Sequence, residues 1–344
     1  MTDDRTNGAP APGDGHGARR PAVVLANLGT PSAPTPSHVR RFLREFLSDR
    51  RVVETHPLLW RPVLEGVVLR VRPRVVAKKY AGIWTPQGSP LMRYTLRQAE
   101  LLGRRMPDVD VQAAMRYGEP GLGAVLDALH ARGIRRVAVL PAYPQYSATT
   151  VASLNDVAAQ WLRRNRDGFD LRLVRSFPTA PAYIDALASA LESHWGRCGR
   201  PDFAAGDAVV VSFHSIPEAM DRAGDPYRSE CMGTVAALEA RLGLARGALT
   251  VAFQSVFGPA AWLGPATIDT VTRLGARGCA RLDVICPGFM ADCLETLEEI
   301  DQLNREAFTR AGGSGFHYVP WGNDSEGAVS ALAEQARTAV AGWV

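Results

Sequence analysis

Val209-Val-Val-Ser-Phe-His214-Ser-Ile-Pro217 opens as a compact apolar run and ends on an imidazole followed by a proline. A short apolar run bounded by turn signals reads as a strand buried on both faces, the kind that builds parallel sheets. Ile285-Cys-Pro-Gly-Phe-Met-Ala-Asp-Cys-Leu-Glu295 repeats the arrangement and delivers a carboxylate in place of the imidazole. Open α/β sheets bind their ligands at the carboxyl ends of such strands. A neutral imidazole and a carboxylate meeting in one cleft make a site for moving protons and a divalent metal.

Outward from these two segments, apolar β-rich runs alternate with longer helical stretches, the pattern of βαβ units. Eight candidate strands cover 22–28, 109–115, 135–140, 171–176, 208–214, 249–254, 282–286 and 316–320. Four precede residue 180 and four follow it, which suggests two similar halves. Most run into Gly, Pro or an aromatic residue, as in Gly29-Thr-Pro31, Pro141-Ala-Tyr-Pro144 and Pro287-Gly288. Parallel strands place these loops along one edge. The connection between the first two strands is too long for a simple crossover. It holds a helix over 37–47, with Val39, Phe42, Leu43, Phe46 and Leu47 on one face. The apolar, proline-broken segment 56–64 that follows is either internal packing or an exposed lip for a large apolar ligand or a membrane surface. A last helix, 325–340, packs back on the body.

With 344 residues, 46% hydrophobic and 22% charged, the chain fits a soluble two-domain enzyme with a cleft between its halves. Of the 39 basic residues 37 are Arg, and the net charge is only +4, so arginine count carries no case for a nucleic-acid partner. Five cysteines without a C-x-x-C pair match no zinc or iron–sulfur spacing, and point to plain thiols in a reducing cytoplasm. Residues 1–20 read as a disordered tail. No run of about 18 apolar residues forms a spanning helix. Gly118-Glu-Pro-Gly121-Leu-Gly123 has its glycines in the wrong order for a dinucleotide loop.

Several segments have two readings. A strand-end histidine such as His214 is either a hydrogen-bonded core residue or the side chain best suited to take a proton near neutral pH. Around Glu295, Leu294, Leu297 and Ile300 form an apolar side, with Glu295 and Glu299 pointing away together and Glu298 at the border. On periodicity alone that is an ordinary solvated acidic face. A row of carboxylates also relays a divalent cation, with Asp292 a further member. Tyr143-Pro-Gln-Tyr146-Ser147 supplies either turn packing or a wall for a flat aromatic ligand. Arg116 beside Tyr117 holds either a ligand carboxylate or a structural partner. Trp262 reads as core, and stays a candidate for substrate contact.

Taken in order, Asn27-Leu-Gly-Thr-Pro31, Phe42-Leu-Arg-Glu-Phe-Leu-Ser-Asp49, Gly88-Ser-Pro90, Arg116-Tyr-Gly118, Tyr143-Pro-Gln-Tyr-Ser147, Phe213-His-Ser-Ile-Pro217 and Gly224-Asp-Pro-Tyr227 resemble the ferrochelatase family. Phe253-Gln-Ser255, Trp262-Leu-Gly-Pro265 and Pro287-Gly-Phe-Met-Ala-Asp-Cys-Leu-Glu-Thr-Leu-Glu-Glu299 continue the likeness to about residue 325. Departures are Ser215, Val256 and Pro320-Trp-Gly-Asn-Asp324, where many bacterial members carry other residues.

The resemblance implies an α/β chelatase-like fold: two Rossmann-like domains, each a mostly parallel four-stranded sheet flanked by helices, with the active-site cleft between them. The expected division is 21–170 plus the helix 325–344, then 171–324. It implies insertion of Fe²⁺ into a porphyrin, protoporphyrin IX or alternatively coproporphyrin III; a non-catalytic tetrapyrrole binder is the other alternative. His214 and Glu295 would flank the insertion point, with Glu299 a further metal ligand. Arg116, Tyr117 and Tyr146 match pocket-lining positions, and Leu28 falls against the opposite macrocycle face; Tyr143, Ser147 and Trp262 complete the expected substrate contacts. Iron is then a substrate, with no permanent cofactor and no [2Fe–2S] cluster. The expected partners are porphyrin and Fe²⁺ without nucleic acid, for a monomer or weak dimer with membrane contact through 56–64 left open.

Overall fold

A computed structural model describes residues 20–258 and 260–344; the tail expected over 1–20 therefore lies, apart from Arg20, outside the described residues. Among these, eight strands form: β1 Ala22–Gly29, β2 Asp110–Tyr117, β3 Arg136–Pro141, β4 Asp170–Leu173, β5 Ala208–His214, β6 Thr250–Gln254, β7 Arg281–Ile285 and β8 Gly315–Tyr318. They pair in parallel throughout, in the orders β2-β1-β3-β4 and β6-β5-β7-β8. The same order twice bears out the two similar halves. Inner strands β1, β3, β5 and β7 are the continuous apolar runs, because both of their faces are covered.

β4 pairs with β3, Asp170 opposite Arg136. The N-terminal sheet thus extends through Leu173, and a division at 170/171 severs β4 from its ladder. The strand is also shorter than the expected 171–176. Asp-Leu-Arg-Leu is a half-exposed edge strand without the buried apolar run that marks the others.

The helix Glu326–Val340 is capped by Ser325, whose hydroxyl accepts the N–H of Ala328 at 3.1 Å. Arg172 donates to the carbonyl of Ala339, Arg136 to that of Trp343, and the Trp343 indole to Asp170. The chain's last helix therefore lies on the first sheet. It also packs on the helix Pro181–Cys198. Around this helix pair Val23, Leu25 and Leu140 of one sheet join Val211, Phe213 and Ile285 of the other in one hydrophobic cluster. The two halves share a core.

Between β1 and β2 the helices Pro36–Ser48 and Leu69–Ile83 pack around Val39, Phe42, Leu43, Leu69 and Tyr80. Segment 56–64 forms the helix Pro57–Val63, which continues through a widened turn, Leu64–Val68, into Leu69–Ile83. Leu64 is buried and the Trp60 indole caps the carbonyl of Leu47, but Leu58 and Leu59 are 79% and 69% exposed. Internal packing therefore describes only part of this segment. Its outer side is a lip.

Candidate functional site

β1 and β2 approach so closely at their carboxyl ends that a Cβ on Gly29, at φ +104°, would lie 1.8 Å from the carbonyl oxygen of Tyr117. Only glycine fits there. Leu28 precedes it, half-buried, with its N–H held by the Asn27 side chain. In the other sheet His214 ends β5, half-buried. Its Nδ1 lies 2.6 Å from the carbonyl oxygen of Ser215. A carbonyl only accepts, so Nδ1 is the nitrogen that donates, and Nε2 is the one left to face a ligand.

After β7, a ten-residue i→i+5 helix spans Glu295–Asn304. Such widened turns concentrate at functional sites. Ile300 is buried in the C-terminal core, and Leu294 and Leu297 pack against the cluster of the N-terminal lip helices. The acidic face is not solvated as periodicity suggested. Glu298 is buried and pairs with Lys79 at 2.9 Å, a bridge between lobes. The Glu299 carboxylate accepts from the backbone N–H and hydroxyl of Ser255. Burial pushes the Glu299 pKa above the usual carboxylate value, against the Ser255 bonds and nearby His214 but with the help of Glu295. His214 is in register with Gln254, which bonds the backbone carbonyl of Glu295, and the next residue, Ser255, holds Glu299, so the three gather at one end of the sheet. Asp292 stands apart from the relay: its carboxylate is consumed by Thr296, Tyr318 and Asn323.

His214 and Glu295 follow neighbouring strands of one sheet, β5 and β7. From the other lobe come Leu28, which shares a cluster with Leu294 and Leu297, and Tyr143. Burial pushes the Tyr143 phenol well above its ordinary pKa, with Tyr117, Cys293 and Glu295 adding to the shift. Its hydroxyl is buried and has no hydrogen-bond partner among the described residues. A buried orphan of this kind is a donor without an acceptor.

The remaining predicted residues divide. Arg116 donates to Asp49 and Ser153, both at 2.5 Å, and Tyr117 donates to Asp49 at 2.8 Å from inside the core. Both are tied to structural partners. Ser147 is buried, caps the following turn and donates to Asp225. Tyr146 is half-buried under the Arg175 guanidinium. Trp262 is half-buried, edge-on to Phe257 and bonded to its carbonyl. The departures are largely structural: Ser215 is buried on the carbonyl of Leu263, and Trp321 is buried on that of Cys286.

Two positioning residues escaped the residue-by-residue reading. Gln254, ending β6, donates to the carbonyl of Glu295 at 2.7 Å and accepts from Ser212. Ser255 adopts φ +65°, an uncommon conformation for a residue other than glycine. Their signal was the Phe253-Gln-Ser255 fragment, quoted only as part of the likeness.

Two parallel sheets of one strand order, with an imidazole and carboxylates gathered at the carboxyl edge of the second, define a chelatase-type α/β protein. SirB from Bacillus subtilis, solved with Fe³⁺, shares this fold at a TM-score of 0.51, over 74% of this chain and 92% of SirB, with 14% identity. The chain belongs to the ferrochelatase family: the family model, Ferrochelatase, matches residues 20–340. A Ferrochelatase of Methylibium petroleiphilum is 49% identical over 340 residues, covering 97% of this chain and 92% of that protein. A Ferrochelatase of a Polaromonas species is 46% identical over 344 residues, with the same coverage.

Proposed function

We infer that this chain is a ferrochelatase, inserting Fe²⁺ into a porphyrin with release of two pyrrole protons to form haem. Family membership and relatives that carry this name along nearly their whole length support the activity. The placement of His214, Glu295 and Glu299 at the carboxyl edge of the second sheet, linked through Gln254 and Ser255, supports the site assignment.

A planar porphyrin hides its nitrogen lone pairs and holds two N–H protons. Catalysis needs a bent ring, a base and a metal path. Binding energy spread over the macrocycle offsets a bending cost of about 1–5 kcal/mol. His214, with Nε2 unprotonated, accepts pyrrole protons. Glu295 and Glu299 supply carboxylate oxygens that carry Fe²⁺ in or protons out. Leu28 covers the opposite macrocycle face, and Tyr143 offers its unpartnered hydroxyl to the ligand. Tyr146 and Trp262 bound the pocket, while Arg116, Tyr117 and Ser147 shape its wall through Asp49 and Asp225.

Protoporphyrin IX is the substrate this reading favours: Arg116, the candidate for a ligand carboxylate, already bonds Asp49 and Ser153, which leaves it less free for the additional propionates of coproporphyrin III. In this reading iron is substrate and no cluster is held, since the five cysteines include no pair at iron–sulfur spacing. The lip extends the partner list to an anionic lipid surface. Leu59, Val63, Val67, Val71 and Val75 recur every four residues, all exposed, with Arg61, Arg70 and Arg74 beside them. Among the described residues no helix is long and apolar enough to cross a membrane, so this contact is interfacial.

The test is an anaerobic Fe²⁺ insertion assay with protoporphyrin IX and coproporphyrin III side by side. Faster turnover of protoporphyrin IX is expected. Stoichiometric binding without metalloporphyrin from either would make the chain a carrier, and faster coproporphyrin turnover would reverse the substrate assignment alone.

A further inference from the structure

Away from the insertion centre, three side chains outside every motif of the family likeness converge. Asp283 on β7 and His317 on β8 are register partners, and His194 comes from the last turns of the helix Pro181–Cys198. Asp283 interrupts the apolar β7 run and is fully buried. Its Oδ1 lies 2.9 Å from His317 Nδ1 and 3.4 Å from His194 Nε2, and the three ligand-capable atoms all fall within 4.8 Å of one another.

Arg281 and the Trp195 indole already hold the carboxylate. Arg281 donates to both oxygens at 3.1 and 3.0 Å, and Trp195 donates to Oδ2 at 2.8 Å. A bidentate guanidinium and an indole satisfy a buried carboxylate. The two imidazoles, with ring centroids 5.0 Å apart, are more than that charge requires. Burial works against the Asp283 anion, yet the Arg281 and Trp195 bonds outweigh it and keep its pKa below the usual value.

We propose that His194, Asp283 and His317 form a second divalent-cation site, separate from the insertion centre, for a borderline first-row ion such as Zn²⁺. Two imidazole nitrogens and one carboxylate oxygen form a donor set that binds Zn²⁺ more tightly than Fe²⁺. Two of the three ligand–ligand separations already suit ligands at about 2.0–2.2 Å from one ion. On binding, His317 Nδ1 and His194 Nε2 each exchange an N–H contact with Asp283 for the metal, and the ring protons move to His317 Nε2 and His194 Nδ1. Arg281 and Trp195 remain behind the carboxylate and orient it. His317, with a side chain 35% exposed, gives the ion its way in. The bound ion pins the helix Pro181–Cys198 to the edge strand of the second sheet.

Zinc alone, added to the chelator-stripped full-length protein, tests this by equilibrium dialysis and thermal unfolding. His317→Gln and His194→Gln keep a polar side chain and leave the insertion centre intact. Each should bind one zinc fewer per chain than the parent protein and lose part of its zinc-induced rise in melting temperature. Parent stoichiometry in both variants would overturn the proposal and leave the cluster as an ion-pair network.

Discussion

Ser255 donates twice to Glu299, its backbone N–H to one carboxylate oxygen at 2.7 Å and its hydroxyl to the other at 2.5 Å. The left-handed backbone at Ser255 presents both donors together. The residue after β6 therefore opposes the burial that raises the pKa of a carboxylate carried by the helix after β7.

Ser255→Ala removes the hydroxyl bond and pushes the already raised Glu299 pKa further up. A hydrogen bond to a charged group contributes about 1.5 kcal/mol, which corresponds to roughly one pH unit. The acid limb of the kcat–pH profile should move to higher pH by about that amount. An unmoved limb would take Glu299 out of the proton path.

Glu299 also sets a stability trend. Its folded-state pKa lies above the unfolded value, so the folded protein holds this proton more tightly. That contribution is complete below the unfolded pKa and falls as pH rises through the folded one. Glu299→Gln should thus gain melting temperature relative to the parent as pH increases, read by thermal unfolding across pH 4–8.

His214→Ala removes Nε2 and, among the described residues, one side-chain hydrogen bond, to the carbonyl of Ser215. Insertion should fall at least ~100-fold, the usual scale for losing a positioned base. Porphyrin fluorescence quenching should persist. Full activity would refute the assignment.

Asp49→Ala leaves the partly buried Arg116 without its counter-ion and takes an acceptor from Ser153 and Tyr117. Unfolding in urea should show a loss of about 3 kcal/mol. Burial resists ionisation of Asp49, but the bonds from Ser153, Arg51, Tyr117 and Arg116 outweigh it and hold its pKa below the usual range. Its stabilisation is present above the unfolded pKa and lost as pH falls through the folded one. Asp49→Asn should be less acid-sensitive than the parent.

An imidazole-and-carboxylate site discriminates weakly against other first-row ions, and the affinity order places Zn²⁺ above Fe²⁺. Zinc should enter the porphyrin at the same centre, followed by the change in visible absorption. No zinc porphyrin would count against nitrogen and oxygen ligands.

Leu58→Glu with Leu59→Glu places two charges on the exposed lip. Cosedimentation with anionic phosphatidylglycerol vesicles should fall several-fold, while insertion into detergent-solubilised porphyrin stays near the parent rate. Equal sedimentation would sink the lipid contact.

The strands were legible wherever both faces of the sheet are covered. A continuous apolar run such as 208–214 leaves no other reading, and β5 begins and ends where expected. β4 was displaced because an edge strand needs no such run. The acidic side of 295–299 misled for a different reason. Periodicity cannot see Lys79 or Ser255, which arrive from distant chain segments to occupy Glu298 and Glu299. Arg116 and Tyr117 were legible as a pair at a strand end, but Asp49 on the preceding connection decides what they hold.

The closing helix Glu326–Val340 lies on the first sheet, bonded through Arg136 and Arg172. During synthesis one flank of the leading sheet therefore stays bare until this helix has been made. Removing Glu326–Val340 would likewise bare the first sheet, although the helix lies beyond the second in the chain.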